Sequence, residues 1–347
     1  MIVFEVKMKN IKNIFRVMFV LMILSLLVLT SCSNRSPVDP LYDQQVVEDK
    51  EIDLVVTSVK FNGVLYPLQE GKVPEPEGIN VNIKTAGYFQ STLHSLASNK
   101  PTIGILSNIE IGIAQENGEE FKVLTPYYRE IVGPDGTTMG QVVAKKGSNL
   151  LPENFEGKRI GIQGESDGST IAMMNILRKA YQVDLSKVEF VVVESNMAPI
   201  LVNEGKLDAA MFDSDYILTD SFSQHYETVL DFNKESYEFY GTVPPASFFV
   251  VKKSLYDMDP NSYNKVITYF SECYNWYRDN VEEVSRMEAE DEGESYELVL
   301  LKSKYEERAG NLIERDVSAF NDFYETAKLR GLIQEVPNVY DLFVYQK

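Results

Sequence analysis

Between Leu151 and Asp215 the chain repeats one pattern that leaves few folds open. A turn at Phe155-Glu156-Gly157-Lys158 leads into a strand signal over 159–162 (RIGI), then a polar loop, Gly164-Glu165-Ser166-Asp167-Gly168-Ser169. Ile171, Met174, Leu177 and Tyr181 follow at the spacing of one helix face. Residues 188–193, apolar except for Glu189, predict a buried parallel strand. Residues 198–204 read as a short helix stopped by Gly205, and 209–212 (AAMF) as the next strand. This is a βαβαβ unit, which requires helices packed on a parallel sheet.

The same alternation begins at Glu51. Strands are predicted over 53–61, 79–84, 102–106, 121–124 and 140–144, with helices over 90–98 and 109–115. The tail is mostly helical. Tyr263, Val266, Ile267, Phe270, Cys273, Tyr274 and Tyr277 share one face, and Ile313, Val317, Phe320, Tyr324 and Ala327 share another. Residues 282–294 between them are so acidic that a solvated helix end or loop is expected. The fold class is α/β.

At 347 residues the chain is long enough for two domains. Its formal net charge of −19 offers no basic face, which argues against nucleic acid and against adhesion to anionic headgroups. Cys32 and Cys273, with His94 and His225, lack the spacing of a metal site, so no metal and no cofactor are expected. His94 is expected to be structural. There is no G-x-S-x-G elbow, H-E-x-x-H motif or Walker loop, and a binder is expected rather than an enzyme.

The first fifty residues read as an address. Residues 17–29 are apolar apart from Ser25 and follow Lys7, Lys9, Lys12 and Arg16. As a helix the run spans about 20 Å, short of the roughly 30 Å hydrocarbon core, and residues 1–31 are predicted to be a signal peptide. Met8 offers a second start. Leu29-Thr30-Ser31-Cys32 resembles the lipobox of bacterial lipoproteins, which implies lipidation of Cys32 and attachment to a membrane outside the cytoplasm. Cys273 is then unpaired and expected to be buried in a helix. Residues 32–50, polar with two prolines, are predicted to be a tether.

Three further elements, in order, resemble the solute-binding proteins of nitrate, sulfonate and thiamine-precursor importers of the ABC type. They are Asn154-Phe155-Glu156-Gly157-Lys158, the run from Pro199 to Ala209 with Gly205 and Asp208, and Leu329-Arg330-Gly331-Leu332-Ile333 with Val339-Tyr340-Asp341-Leu342. The resemblance implies a type II periplasmic-binding-protein fold: two α/β lobes joined by two crossovers, with a ligand cleft between. Lobe 1 would comprise residues 51–145 and 246–347, and lobe 2 residues 146–245. It also implies a monomer that hands a small molecule to the membrane subunits of an ABC permease. Residues 63–71, where the family's first helix lies, are short and hold Pro67, so that cleft wall is expected to differ. Some relatives of the fold are pyrimidine synthases that use a cysteine-rich motif, a histidine and iron; this chain has no cysteine cluster. A sensory or surface lipoprotein is the other reading.

In open α/β sheets ligands sit beyond the carboxyl ends of strands. That rule selects the loops at Ser107-Asn108, Gly164 to Thr170, Glu194-Ser195-Asn196 and Asp213-Ser214-Asp215-Tyr216. The expected ligand-binding residues are Tyr88, Asn108, Glu165, Ser166, Asp167, Ser169, Thr170, Asn196, Asp213 and Asp215, with Phe89, Tyr127 and Tyr128 as aromatic walls. Asp167 or Ser169 as a helix cap, and Asp213 as a turn residue, are the plainer roles. The loops hold Glu165, Asp167, Glu194, Asp213 and Asp215 and no Lys or Arg, which predicts a neutral or cationic ligand, an amino-heterocycle among the candidates.

Overall fold

The structure, a computed structural model, describes residues 49–56, 64–86, 89–219, 221–308 and 314–344. The signal peptide, Cys32 and Tyr88 lie outside the described residues. So does all of the tether but its last two residues, of which Lys50, instead of ending the tether, opens the first strand.

Strands β1 (Lys50–Val56), β2 (Ile79–Thr85), β3 (Thr102–Ser107) and β4 (Phe121–Glu130) build a first sheet. The chain then crosses to a second sheet of β5 (Gln141–Lys145), β6 (Arg159–Ile162), β7 (Glu189–Val192), β8 (Ala209–Met211) and β9 (Tyr226–Asp231). It returns with β10 (Ser247–Lys252) and β11 (Glu306–Arg308). The orders are β11-β4-β10-β3-β1-β2 and β7-β6-β8-β5-β9. Each sheet is mixed: β1, β2 and β3 pair in parallel, as do β6, β7 and β8, but β10 runs antiparallel between β3 and β4, and β5 antiparallel between β8 and β9. Each sheet thus takes in a reversed strand where the chain arrives from the other lobe, and β11 adds a second reversed strand at the edge of the first sheet. This is a type II periplasmic-binding-protein arrangement of two α/β lobes.

Three expectations need correction. The resemblance implies that residues 140–144 belong to lobe 1, whereas Gln141–Lys145 pairs with β8 and β9 in lobe 2, so the boundary expected after 145 falls before Gln141. The apolar run at 188–193 predicts a buried strand, yet β7 is an edge strand and Val192 is 57% exposed. Among the described residues β6 is its one strand partner, so β7 lacks the second neighbour that would shield it from solvent. The acidic stretch 282–294 is a full helix, Val281–Glu292, that buries Val284, Ser285 and Ala289.

Both sheets are covered on two faces. Along β10, Phe248 and Val250 face one cluster and Phe249 and Val251 the other, the alternation a pleated strand imposes. The second cluster packs on α1 (Leu65–Gln69) and, above all, the long tail helix Pro260–Asp279, whose Tyr263, Val266, Ile267, Phe270, Cys273, Tyr274 and Tyr277 are all buried as the periodicity predicts. Lobe 2 repeats the plan with Val142 and Ala144 on one side of β5 and Val143 on the other.

Candidate functional site

Strand β4 ends at the first crossover, residues 131–140, and its last three residues are dealt to opposite sides. A register shift where Pro126 meets Phe248 marks a bulge, the one place a mid-sheet proline is tolerated. Beyond it Arg129 turns into the protein. Its guanidinium pairs with Asp316 at 2.9 Å and donates to Thr242 at 3.0 Å, and Thr242 donates to Asp316 at 2.7 Å. Asp316 and Arg129 are buried, and Thr242 belongs to the second crossover, residues 232–246. Tyr128 and Glu130, on the other side, face a cavity.

That cavity encloses about 60 Å³ between the lobes. Lobe 1 contributes Asn108, Tyr128, Glu130 and Phe323; lobe 2 contributes Gly168, Ser169, Ala172 and Asn175; Phe232, Asn233, Ser236, Val243, Pro244 and Ala246 come from the second crossover. The helix Phe232–Tyr240 begins at the Asp231 cap, which accepts the Lys234 N–H, and the i, i+1, i+4 spacing turns Phe232, Asn233 and Ser236 to one side. The crossovers also hold each other. Thr138 donates its N–H and hydroxyl to Asp231 at 2.9 and 2.6 Å, and the Phe232 N–H donates to the Gly140 carbonyl.

Glu130 is the acidic group of this cavity. Asn233 Nδ2 donates to its Oε2 at 2.5 Å. Burial, reinforced by Glu306 and Asp231, pushes its carboxyl up to about 7 against the hydrogen bonds from Asn233 and Tyr128. Gly140 sits directly under Asn233: a Cβ there would collide with the Asn233 amide, so the glycine sets the amide that orients Glu130.

The lobes meet along helix Gly168–Lys179. A Cβ on Gly168 would lie 2.9 Å from Asn108 Oδ1, so only glycine allows the two helix starts this close. Asn175 donates to Tyr240, Tyr240 donates to Asp322, and Lys179 pairs with Asp322 at 2.5 Å, tying this helix to the tail helix Glu314–Leu329. Lys302, from the helix Tyr296–Lys302, reaches Asp215 of lobe 2 at 2.5 Å and Glu294 at 2.9 Å.

The sequence-predicted residues divide. Asn108 and Ser169 line the cavity. Asp167 caps its helix through the Thr170 N–H. Thr170 is not a cleft residue: it is fully buried and its hydroxyl faces the Met211 sulfur. Glu165, Ser166 and Asn196 are exposed and do not line the cavity. Asp213 accepts from Gln163 Nε2, and Asp215 is taken by Lys302. Of the aromatics, Tyr128 faces the cavity, while Tyr127 packs edge-on against Phe249 of the core. His94 and His225 are exposed. Cys273 is buried as expected, and burial pushes its thiol up to about 12. Among the described residues no group of three or more His, Cys, Asp or Glu side chains could hold a metal, and no helix is long and apolar enough to cross a membrane.

Glu130, Asn175, Asn233 and Ser236 were not foreseen. The available signal was a glutamate closing the run Tyr127-Tyr128-Arg129-Glu130, but only the pairing of β5 reveals that this run ends at a crossover.

Two α/β lobes, two crossovers and a polar cavity at the junction are the features of the periplasmic-binding-protein fold. The chain belongs to the NMT1/THI5-like family, which it matches over residues 75–283 of 347. No curated protein matches it by sequence. Among solved structures it is similar to the periplasmic aliphatic sulphonate binding protein SsuA of Escherichia coli (11% identity, TM-score 0.64, 86% of this chain and 93% of that one). A periplasmic sulfonate-binding protein SsuA from Methylobacillus flagellatus gives 14% identity and a TM-score of 0.63 over 86% and 92%. The desulfurization enzyme DSZB gives 11% and 0.52 over 86% and 97%. At these identities the likeness is one of fold.

Proposed function

We propose that the protein is an extracytoplasmic solute-binding protein that takes up a small neutral or cationic molecule between its lobes and delivers it to an ABC-type permease. The observation that carries this reading is the cavity itself: polar groups from both lobes and the second crossover converge on one space, and none of its lining residues is Lys, Arg or His. Its small volume fits a site that forms around a ligand as the lobes come together and widens as they part. In this reading Cys32 carries the lipid, residues 32–50 hold the monomer off the membrane, and Asn108 and Ser169 touch the ligand.

Oxyanion recognition by helix starts has little support here. The first three N–H groups of helix Asn108–Glu116 are spent on Ala246 O, Asn108 Oδ1 and Ser107 Oγ. At Gly168–Lys179 the Asp167 carboxylate stands where an anion would sit. The sulfonate specificity named for the SsuA proteins is therefore not carried over. The fold of DSZB favours an enzymatic second reading, but the one described cysteine is buried and protonated, so it is no nucleophile.

The test is capture of solute. The full chain, purified in mild detergent, is incubated with a cell extract, desalted and examined by native mass spectrometry. A one-to-one bound small molecule is expected, and at a hundredfold excess over Kd it should stabilise the fold by about 2.7 kcal/mol. Failure to retain any solute would remove the proposal.

A further inference from the structure

We propose that Glu130 selects ligands bearing a protonated amino or amidine-type group, which its carboxylate receives at the floor of the interlobe cavity. The inference rests on the solute-binding reading and sharpens its ligand class. It begins with position: Glu130 ends strand β4 at the entry to the first crossover, and its carboxyl accepts from Asn233 of the second, a segment itself bonded to the first through the Phe232 N–H and the Gly140 carbonyl. Asn233, fixed over Gly140, donates to one carboxyl oxygen, and Tyr128 donates as well. Both partners are donors, so they orient the carboxyl without neutralising it.

The charged surroundings point the same way. Glu306 on β11 pairs opposite Glu130 in the sheet, and Asp231 closes β9; both add negative potential. Arg129, the adjacent residue, is turned away to Asp316 and Glu307. On helix Gly168–Lys179, Arg178 and Lys179 are held by Glu325 and Asp322. Lys234 and Glu235 follow Asn233 on its helix and neither lines the cavity. A cation entering the cavity meets a carboxyl with no resident counter-charge among the lining residues, and supplies one. Tyr128, Phe232 and Phe323 add aromatic surface to the same space, suited to a cation's apolar body.

The experiment is calorimetric titration of the full chain in mild detergent with methylguanidinium and benzylammonium. Methylurea, benzyl alcohol and methanesulfonate serve as uncharged and anionic partners. A cation is expected to bind at pH 8 and to weaken roughly 30-fold at pH 5.5, where a carboxyl with a pKa of about 7 is protonated. Glu130→Gln should lose the cation at least tenfold and lose its pH dependence, while the exposed Glu189→Gln should change neither. Thermal unfolding of each variant verifies that it is folded. Overturning results are no cation binding at pH 8, tighter binding at pH 5.5, or an unchanged Glu130→Gln. The capture of an uncharged or anionic solute from extract would then leave the solute-binding reading standing without this inference, whereas capture of none would remove both.

Discussion

The strand-end loops of lobe 2 and the two crossovers offer different chemistry, although both border the cleft. The loops carry Glu165, Ser166, Asn196 and Asp213, side chains that are exposed, and where they are bonded it is to their own neighbours, as Asp213 is to Gln163. Glu130 at the end of β4 and Asn233 and Ser236 of the second crossover are withdrawn from solvent and converge. In water a carboxylate's field is screened, and an exposed charge pair is worth about 0–1 kcal/mol. In the cavity the same group is expensive to charge, which makes it sensitive to what binds. Loop acidity therefore says little about the ligand; the one acidic residue lining the cavity says more.

The largest expected effect breaks the crossover side altogether. Asp316→Ala leaves the buried Arg129 guanidinium without its carboxylate and Thr242 without its acceptor, and should cost about 3–5 kcal/mol, read as a fall in Tm. An unchanged Tm would mean that the crossovers are not the rigid frame described.

Next is the pH dependence of the unliganded fold. Glu130 has a folded pKa raised from 4.5 to about 7, so the folded state holds a proton that the unfolded state has released. Stability should fall as pH rises from about 4.5 to 7, by no more than about 3 kcal/mol from this group. Glu130→Gln should flatten that slope, measured by urea unfolding across the window.

Gly168→Ala tests the meeting of the lobes. The added methyl would press on Asn108, and either the lobes stand further apart or Asn108 shifts, so ligand affinity should drop about tenfold with little change in Tm. The ion pair of Lys302 with Asp215 is half exposed, and Lys302→Ala should weaken binding less than fivefold, an effect that vanishes in high salt. Smallest of all, Glu165→Gln or Asn196→Ala should change affinity less than twofold.

Much of the architecture was legible in the chain. The βαβαβ unit over 151–215 and the helix face from Tyr263 to Tyr277 are local periodicities, and local patterns survive into the structure. What escaped was set by partners far away. That 141–145 joins the second sheet depends on Ala209–Met211 and Tyr226–Asp231, and that Val192 is exposed depends on β7 having a single neighbour. The site divided in the same way. Asn108 and Ser169 followed from the strand-end rule, while Glu130 and Asn233 are separated by 103 positions and meet only because the crossovers do. Thr170 obeyed the rule in sequence but points into lobe 2, because the third residue of its helix faces the core.

The account's central claim is that ligand contacts concentrate at the crossovers. Hydrogen exchange of the full chain, free and loaded with the solute captured from extract, tests it most directly. The account predicts the strongest new protection over residues 128–140 and 232–246. Protection confined to 163–170, 194–197 and 213–216, with the crossovers unchanged, would contradict it.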